Sequence, residues 1–242
     1  MVEKTRVSVA MVTYNGEKYV KEQLDSILLQ LNEQDEIVVS DDGSKDGTQA
    51  ILREYQQRDS RIRLTKGPGM GVKKNVEHAL RQCQGEIIFL ADQDDIWKED
   101  KVQKVLEVME REQCTLVIHD AAVFHKDPKE VMMESFFAFR SAGAGVIKNI
   151  VKNSYIGCCM AFQKEILERA LPIPDSIEMH DQWIGILNDF YYKKSVFFRE
   201  TLLFYRRHGE NTSGMEHYGI LRMIRNRIVF CLHFIGRFLH IC

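Results

Sequence analysis

A mainly parallel α/β sheet flanked by helices is predicted by two observations on the first half of the chain. Apolar, β-branched runs alternate with helix-period segments from Val7 to Ala91, and the spacing between successive runs suits strand–helix–strand crossovers. Val7 to Thr13 reads as the first strand and stops at the turn signal Tyr14-Asn15-Gly16. From Glu17 to Gln30, Tyr19-Val20, Leu24 and Ile27-Leu28, followed by Leu31, recur at spacings of three and four, the mark of an amphipathic helix. Glu36 to Ser40 is a second strand, ended by Asp41-Asp42-Gly43-Ser44, and Asp46 can cap the helix that carries Ala50-Ile51 and Tyr55. Ile62 to Thr65, the Gly67 to Gly71 loop, a helix over Val72 to Cys83 and a strand over Glu86 to Ala91 complete the pattern.

The second half is less regular. Leu116 to Phe124 and Ser154 to Phe162 read as strands, Lys164 to Ala170 as a short helix, Asp181 to Tyr192 as a longer one, and Val196 to Tyr205 as one or two strands. No linker or internal repeat interrupts the chain. The expected organisation is a catalytic domain over 1–214, made of a nucleotide-binding half (about 1–98) and an acceptor-binding half (about 99–214), with a helical tail over 215–242.

The bulk chemistry narrows the function classes. The 242 residues are 45% hydrophobic and 28% charged with 4 Pro, a globular composition. A net charge of -2 gives no support to a nucleic-acid partner. The six cysteines form no C-x-x-C pair and no zinc spacing, which predicts reduced thiols and a cytoplasmic setting. Met1 to Arg6 leads straight into a strand-like segment, so no signal peptide is expected. The Asn211-Thr212-Ser213 sequon carries no meaning in such a setting.

Chemistry gathers at strand ends. In open α/β sheets ligands sit beyond the carboxyl ends of the strands, and that rule selects Thr13-Tyr14-Asn15, Asp41-Asp42 and Asp92-Gln93-Asp94-Asp95. Carboxylates this close in sequence repel unless a cation or hydrogen-bond donors neutralise them, and hard oxygen ligands suit Mg²⁺ or Mn²⁺. The competing reading of Asp92 to Asp95 is a solvated turn that caps the helix beginning near Glu99. Asp42 to Gly47 is not a calcium loop, because the twelfth position is Arg53 where a Glu is required. No P-loop, G-x-G-x-x-G, H-E-x-x-H or G-x-S-x-G motif is present. Asp181, at a helix start, reads by itself as a cap, and the donors of Arg206 to Gly214 suit either an ordinary basic loop or a phosphate and metal site.

Val9 to Gly16, Ile37 to Gly47, Phe89 to Trp97, His180 to Trp183 and Arg206 to Gly214 together resemble the family-2 inverting glycosyltransferases. The likeness runs from about residue 6 to 214, and Ala91 to Trp97 with His180 to Trp183 is most similar to bacterial rhamnosyltransferases of surface-polysaccharide assembly. The resemblance implies the α/β GT-A (nucleotide-diphospho-sugar transferase) fold, and sugar transfer from a dTDP- or UDP-sugar to a glycan or lipid-linked acceptor. It implies that Thr13, Tyr14 and Asn15 line the nucleotide pocket, Asp41 or Asp42 reads the base, and Asp92, Gln93 and Arg207 contact the nucleotide-sugar. Asp94 and His208 match metal-binding positions, Asp181 the catalytic base, and Ser154 to Phe162 a segment beside the acceptor; Asp95 stays open between a supporting role and a cap. A sugar-nucleotidyltransferase and a non-catalytic glycan-binding module are the alternatives. The tail from Ile220 to Ile241 interleaves apolar residues with Arg222, Arg225, Arg227 and Arg237. It reads either as a basic amphipathic helix on an anionic membrane or as a helix packed on the domain or on a partner copy in a homo-oligomer.

Overall fold

The computed structural model of the chain describes residues 6–192, 194–209 and 219–239. The expected division at 214/215 and the Asn211 sequon lie outside these residues. In chain order the elements are β1 (Val7–Thr13), α1 (Val20–Leu28), β2 (Glu36–Asp41), α2 (Thr48–Arg58), β3 (Ile62–Lys66), α3 (Val72–Gln82) and β4 (Ile87–Asp92). The second half holds β5 (Ile96–Trp97), α4 (Lys101–Glu112), β6 (Leu116–Phe124), β7 (Val131–Met133), α5 (Phe136–Arg140), α6 (Val146–Val151) and β8 (Met160–Gln163). It closes with α7 (Leu167–Ala170), α8 (His180–Tyr191), β9 (Ser195–Arg206) and α9 (Ile220–Phe238).

The expected parallel sheet is present. The strands lie in the order β3-β2-β1-β4-β8-β6-β9-β5, with β7 beside β6. β3, β2, β1 and β4 pair in parallel, β8 runs antiparallel to β4 and β6, and β6 and β9 are parallel. Strands covered on both faces need near-continuous apolar runs, which is why every residue of β1, β2 and β6 is buried. α1 turns Val20, Leu24 and Ile27 to this core, and α3 turns Val76, Ala79 and Leu80. Register then aligns the strand ends: Thr13 pairs with Asp41, and Val12 with Asp92.

Ser154 to Phe162 departs from its expected strand. Only Met160–Gln163 joins the sheet, and Gly157–Cys159 forms a 3-10 turn. The backbone groups there serve side chains instead of a neighbouring strand: the Gly157 N–H donates to Asp181 at 3.1 Å, and the Cys158 carbonyl accepts from Lys101 Nζ at 3.0 Å. β5, β7, α5 and α6, each of 2–6 residues, are too short to register as a period in the sequence.

α8 is locked by polar and aromatic packing. Tyr155 donates its hydroxyl to Asp189, and that carboxylate also accepts the Gly145 N–H at 2.8 Å. α9 lies against α8 through Phe230, whose ring meets Trp183 edge-on at 5.6 Å, and through Phe234, at 5.0 Å from Phe190. The packed-helix reading of the tail is therefore correct for one of its faces. No helix among the described residues is long and apolar enough to cross a membrane. A Cβ at Gly185 of α8 would stand 2.4 Å from the Tyr155 ring. Gly185→Ala is expected to destabilise the fold by about 1–3 kcal/mol through overpacking; an unchanged thermal midpoint would refute this account of the α8 contact.

Candidate active site

The three polar strand ends meet, and their side chains divide between scaffold and exposed edge. Thr13 is buried and donates its hydroxyl to Asp41 Oδ2 at 2.9 Å. Asp41 is buried too: its Oδ1 also accepts the Ser44 N–H at 3.0 Å and the Gln49 amide at 3.0 Å. Its lone pairs are engaged inside the protein, so Asp41 shapes the turn. Asp42 is half-buried and clamps the glycine loop, accepting the Gly69 and Gly71 N–H groups at 2.7 and 2.8 Å. Both glycines have positive φ, which leaves these N–H groups pointing at one carboxylate. Asn15, itself at φ 51°, donates its N–H to Ser44 Oγ and accepts the Lys45 N–H with its side chain, each at 2.8 Å. The Tyr14 ring is exposed, while its backbone is held by Gln93, whose amide accepts the Tyr14 N–H at 2.8 Å and donates to the Tyr14 carbonyl at 3.0 Å. That two-point grip requires Gly16, where a Cβ would collide with the Gln93 side chain at 2.2 Å.

The acidic turn is more than a helix cap. β5 pairs antiparallel with β9, Ile96 opposite Phe204 and Trp97 opposite Leu203, and so carries Asp94 and Asp95 to Arg206 and His208. His208 Nε2 lies 2.8 Å from Asp94 Oδ2, and its ring stacks on Tyr19 with centroids 4.8 Å apart. Asp95 is fully buried; its Oδ1 accepts the Arg206 N–H at 3.1 Å, and the Cys158 side chain also hydrogen-bonds the carboxyl. Burial first, then the Asp94 and Asp92 charges, push the Asp95 carboxyl well above the usual range. Asp92 is raised to about 7 by burial, then by Asp94 and Asp181, with Lys101 opposing.

Two buried cations hold this arrangement. Arg206 donates from Nε to the Asp94 carbonyl at 2.8 Å, pairs with Glu22, and lies between the rings of Tyr19 (4.8 Å) and Phe124 (4.5 Å). Lys101 is fully buried over Trp97 at 3.9 Å, and burial lowers its pKa to about 8 although Cys159, Cys158, Asp95 and Asp92 all favour its charge. Sequence reasoning missed Lys101, and placed Arg206 only within the donor-rich segment Arg206 to Gly214, with no role under the acidic turn. The β9 and α4 patterns mark Arg206 and Lys101 only as charged residues among apolar ones, and that interruption was the available signal. Arg207, expected on the ligand, projects over Tyr205 at 6.0 Å, and its backbone bonds Phe124 and His125.

Asp181 sits in the first turn of α8, not at its cap. Its Oδ2 accepts the Gly157 N–H at 3.1 Å and its Oδ1 the Gln182 N–H at 2.6 Å, and Asn153 adds a side-chain hydrogen bond. Burial still raises its pKa. The Asp181 charge is near enough to help raise the Asp92 carboxyl, so a buried carboxylate of α8 flanks the acidic turn.

Two donor sets at the acidic turn could meet a divalent cation. Asp94 with His208 offers a carboxylate oxygen and an imidazole nitrogen already side by side, a set that fits Mn²⁺ and, with more of its water retained, Mg²⁺. Asp92, Asp95 and Cys158 can also bring ligand atoms within 4.8 Å of one another. There, however, the Lys101 ammonium already acts on all three groups, and the Cys158 thiol is held protonated, first by its bond with Cys159 and then by burial. The Asp94–His208 edge is the better cation site.

Known proteins are similar to this chain in sequence and in fold. TuaG of Bacillus subtilis, a putative teichuronic acid biosynthesis glycosyltransferase, is 32% identical over 158 residues, 64% of this chain and 60% of that protein. RfbG of Shigella flexneri, a dTDP-rhamnosyl transferase, is 27% identical over 237 residues, 90% of this chain and 80% of that protein. Among solved structures, S. aureus TarS 1–349 in complex with UDP-GlcNAc superposes with a TM-score of 0.70 at 16% identity, over 95% of this chain and 67% of that one. The mannosyltransferase PcManGT of Pyrobaculum calidifontis, in complex with GDP-Man and Mn²⁺, gives 0.59 at 21% identity, over 83% and 56%. The chain thus spans 60–66% of the length of TuaG and of the Nostoc glycosyltransferase alr2836. These likenesses show the GT-A fold, and the pattern of Glycosyl transferase family 2 matches residues 8–171, well over half the chain: this protein belongs to that family.

Proposed function

We propose that the chain transfers a sugar, with inversion, from a nucleoside-diphospho-sugar to a glycan or lipid-linked acceptor in the synthesis of a cell-surface polysaccharide. One observation carries this reading: a buried carboxylate, Asp181, flanks the Asp92 to Asp95 turn and its His208 partner. dTDP-rhamnose is the first donor to test, supported by the likeness to RfbG, and UDP-hexoses are the second, supported by the TarS complex. The buried free thiols of Cys83, Cys114, Cys158 and Cys159 suit a reducing, cytoplasmic setting.

The chemistry follows from the side chains. An acceptor hydroxyl attacks the anomeric carbon from the face opposite the diphosphate; the new C–O bond forms as the glycosyl–phosphate C–O bond breaks. Asp181 takes the hydroxyl proton. Its raised pKa makes it a stronger base than an ordinary aspartate, and the Gly157 and Gln182 N–H groups fix its orientation. Asp94 and His208 would hold a divalent cation, which when bound offsets the charge of the departing diphosphate. Tyr14, Asn15 and the outer edge of Asp42 would line the nucleotide, with Asp41 and Thr13 supporting them from beneath. Asp92, the acid nearest Asp181, would face the sugar or ribose. Arg207, beside Tyr205, would contact the nucleotide-sugar, as the resemblance implies.

Asp181→Asn is expected to lower turnover by about 10²–10⁴-fold and to leave nucleotide affinity by calorimetry unchanged; near-normal turnover would remove Asp181 as base. Because the base acts deprotonated and burial raises its pKa, the acid limb of the wild-type rate profile should lie above the ordinary aspartate value of 3.8. Asp94→Ala should weaken Mn²⁺-dependent nucleotide binding by at least about 10–100-fold, and equal affinities with and without the metal would count against the Asp94–His208 site. Arg206→Met keeps the backbone bond to Asp95 but removes the Nε bond to the Asp94 carbonyl and the Glu22 pair, and should cost about 1–3 kcal/mol of stability in urea titration; a loss of activity with unaltered stability would instead make Arg206 a ligand contact.

A further inference from the structure

The face of α9 turned away from the domain is apolar. At 3.6 residues per turn, Leu221, Ile224, Ile228, Leu232, Ile235 and Leu239 fall within an arc of about 80°, roughly opposite Phe230. Phe230 is 3% exposed, whereas Leu221 is 80% and Leu232 65% exposed. The inner face is fully engaged: besides Phe230 and Phe234, Arg237 donates to the Leu171 and Pro172 carbonyls, Arg227 to the Val151 carbonyl, and Asn226 to Glu178 at 2.6 Å. Packing on the domain therefore leaves the outer stripe uncovered, and such a contiguous apolar surface marks an interaction site.

Charge says what covers it. The chain carries a net charge of -2, yet residues 219–239 hold four arginines and no Asp or Glu. α6 packs along α9, and the segment from Ser141 to Gln163 that contains it is also free of acids. α6 adds the exposed apolar residues Ile147 and Val151, together with the exposed cations Lys148 and Lys152. Arg225 borders the stripe, and Arg222 lies 3.9 Å from Glu178 on the domain side. Two copies joined through this stripe would bring like charges together with no acid on either helix to meet them. A bilayer rich in anionic headgroups supplies both the apolar depth and the opposite charge.

We propose that α9, with α6 beside it, docks the protein flat on an anionic phospholipid bilayer. The α9 inner face meets Trp183, two positions from Asp181 on α8, so docking fixes the base at a set height above the lipid. An acceptor anchored in the same bilayer would then need to reach only that far, a consequence that rests on the transfer reading. The binding itself does not.

Flotation of the full chain, without donor or acceptor, on vesicles of pure phosphatidylcholine and on vesicles containing phosphatidylglycerol tests the proposal. Binding should be at least about tenfold stronger to the anionic vesicles and should fall as salt is raised. The surface double variant Ile228→Glu/Leu232→Glu should lose it by at least about tenfold while keeping the wild-type thermal midpoint. Arg225→Glu, which leaves the apolar stripe intact, should weaken only the anionic-vesicle binding. Equal flotation of wild type and double variant, or no flotation of wild type, overturns the proposal. So does a wild-type dimer in light scattering that the double variant dissociates, which would assign the stripe to a second copy. Vesicle binding by a chain that fails to transfer sugar would leave docking standing and remove the transfer reading alone.

Discussion

Carboxylates gathered where they are largely buried repel one another and resist ionisation, and Arg206 braces the backbone turn that carries them. It sits under the acidic turn, ties the Asp94 carbonyl and the Asp95 carboxylate to the end of β9, and reaches Glu22 on α1. Stacking between Tyr19 and Phe124 fixes the guanidinium plane, so that its hydrogen bonds are pre-oriented. Lys101 supplies the second charge from below, held over Trp97 and bonded to the Cys158 carbonyl. Lys101 opposes the repulsion at Asp92 and Asp95, while Arg206 braces the turn through the Asp94 carbonyl.

The same logic separates scaffold from working edge. Thr13, Asp41, Asp95 and Gln93 spend their hydrogen-bonding capacity on the protein, and each fixes a turn. Tyr14, Asn15, Asp42, Asp94 and Asp92 stand on those turns with part of their surface exposed. A buried acid such as Asp41 resembles a ligand contact in sequence, while in the fold its oxygens are bonded to Thr13, Ser44 and Gln49. Asp181 is intermediate: three donors orient it, and burial keeps it basic.

α9 illustrates how one helix serves two environments. Its aromatic and arginine face satisfies carbonyls at Leu171, Pro172 and Val151 and closes the core beside Trp183. The opposite face is apolar with flanking cations. α8 lies between that helix and the acidic turn, so whatever α9 rests on is mechanically linked to Asp181.

Much was legible in the residues. Buried parallel strands require apolar runs and amphipathic helices require a period of 3.6, so β1 to β4 and α1 to α3 could be drawn from local pattern, as could the convergence of their polar ends. The sequence motifs also singled out Asp94, His208 and Asp181. What local pattern could not decide was which side chains of β9 face the turn. Side chains alternate along a strand, and the β6–β9 register slips around Asp120, so Arg206 and Arg207 exchange faces according to a pairing set far away in the chain. The two-residue strand β5, the turn at Gly157–Cys159 and the burial of Lys101 are likewise products of contacts between distant segments. Sequence by itself determined the fold class and the acids of the acidic turn; tertiary structure alone decided which cations hold those acids together, because compensation of buried charge depends on proximity in space and not along the chain.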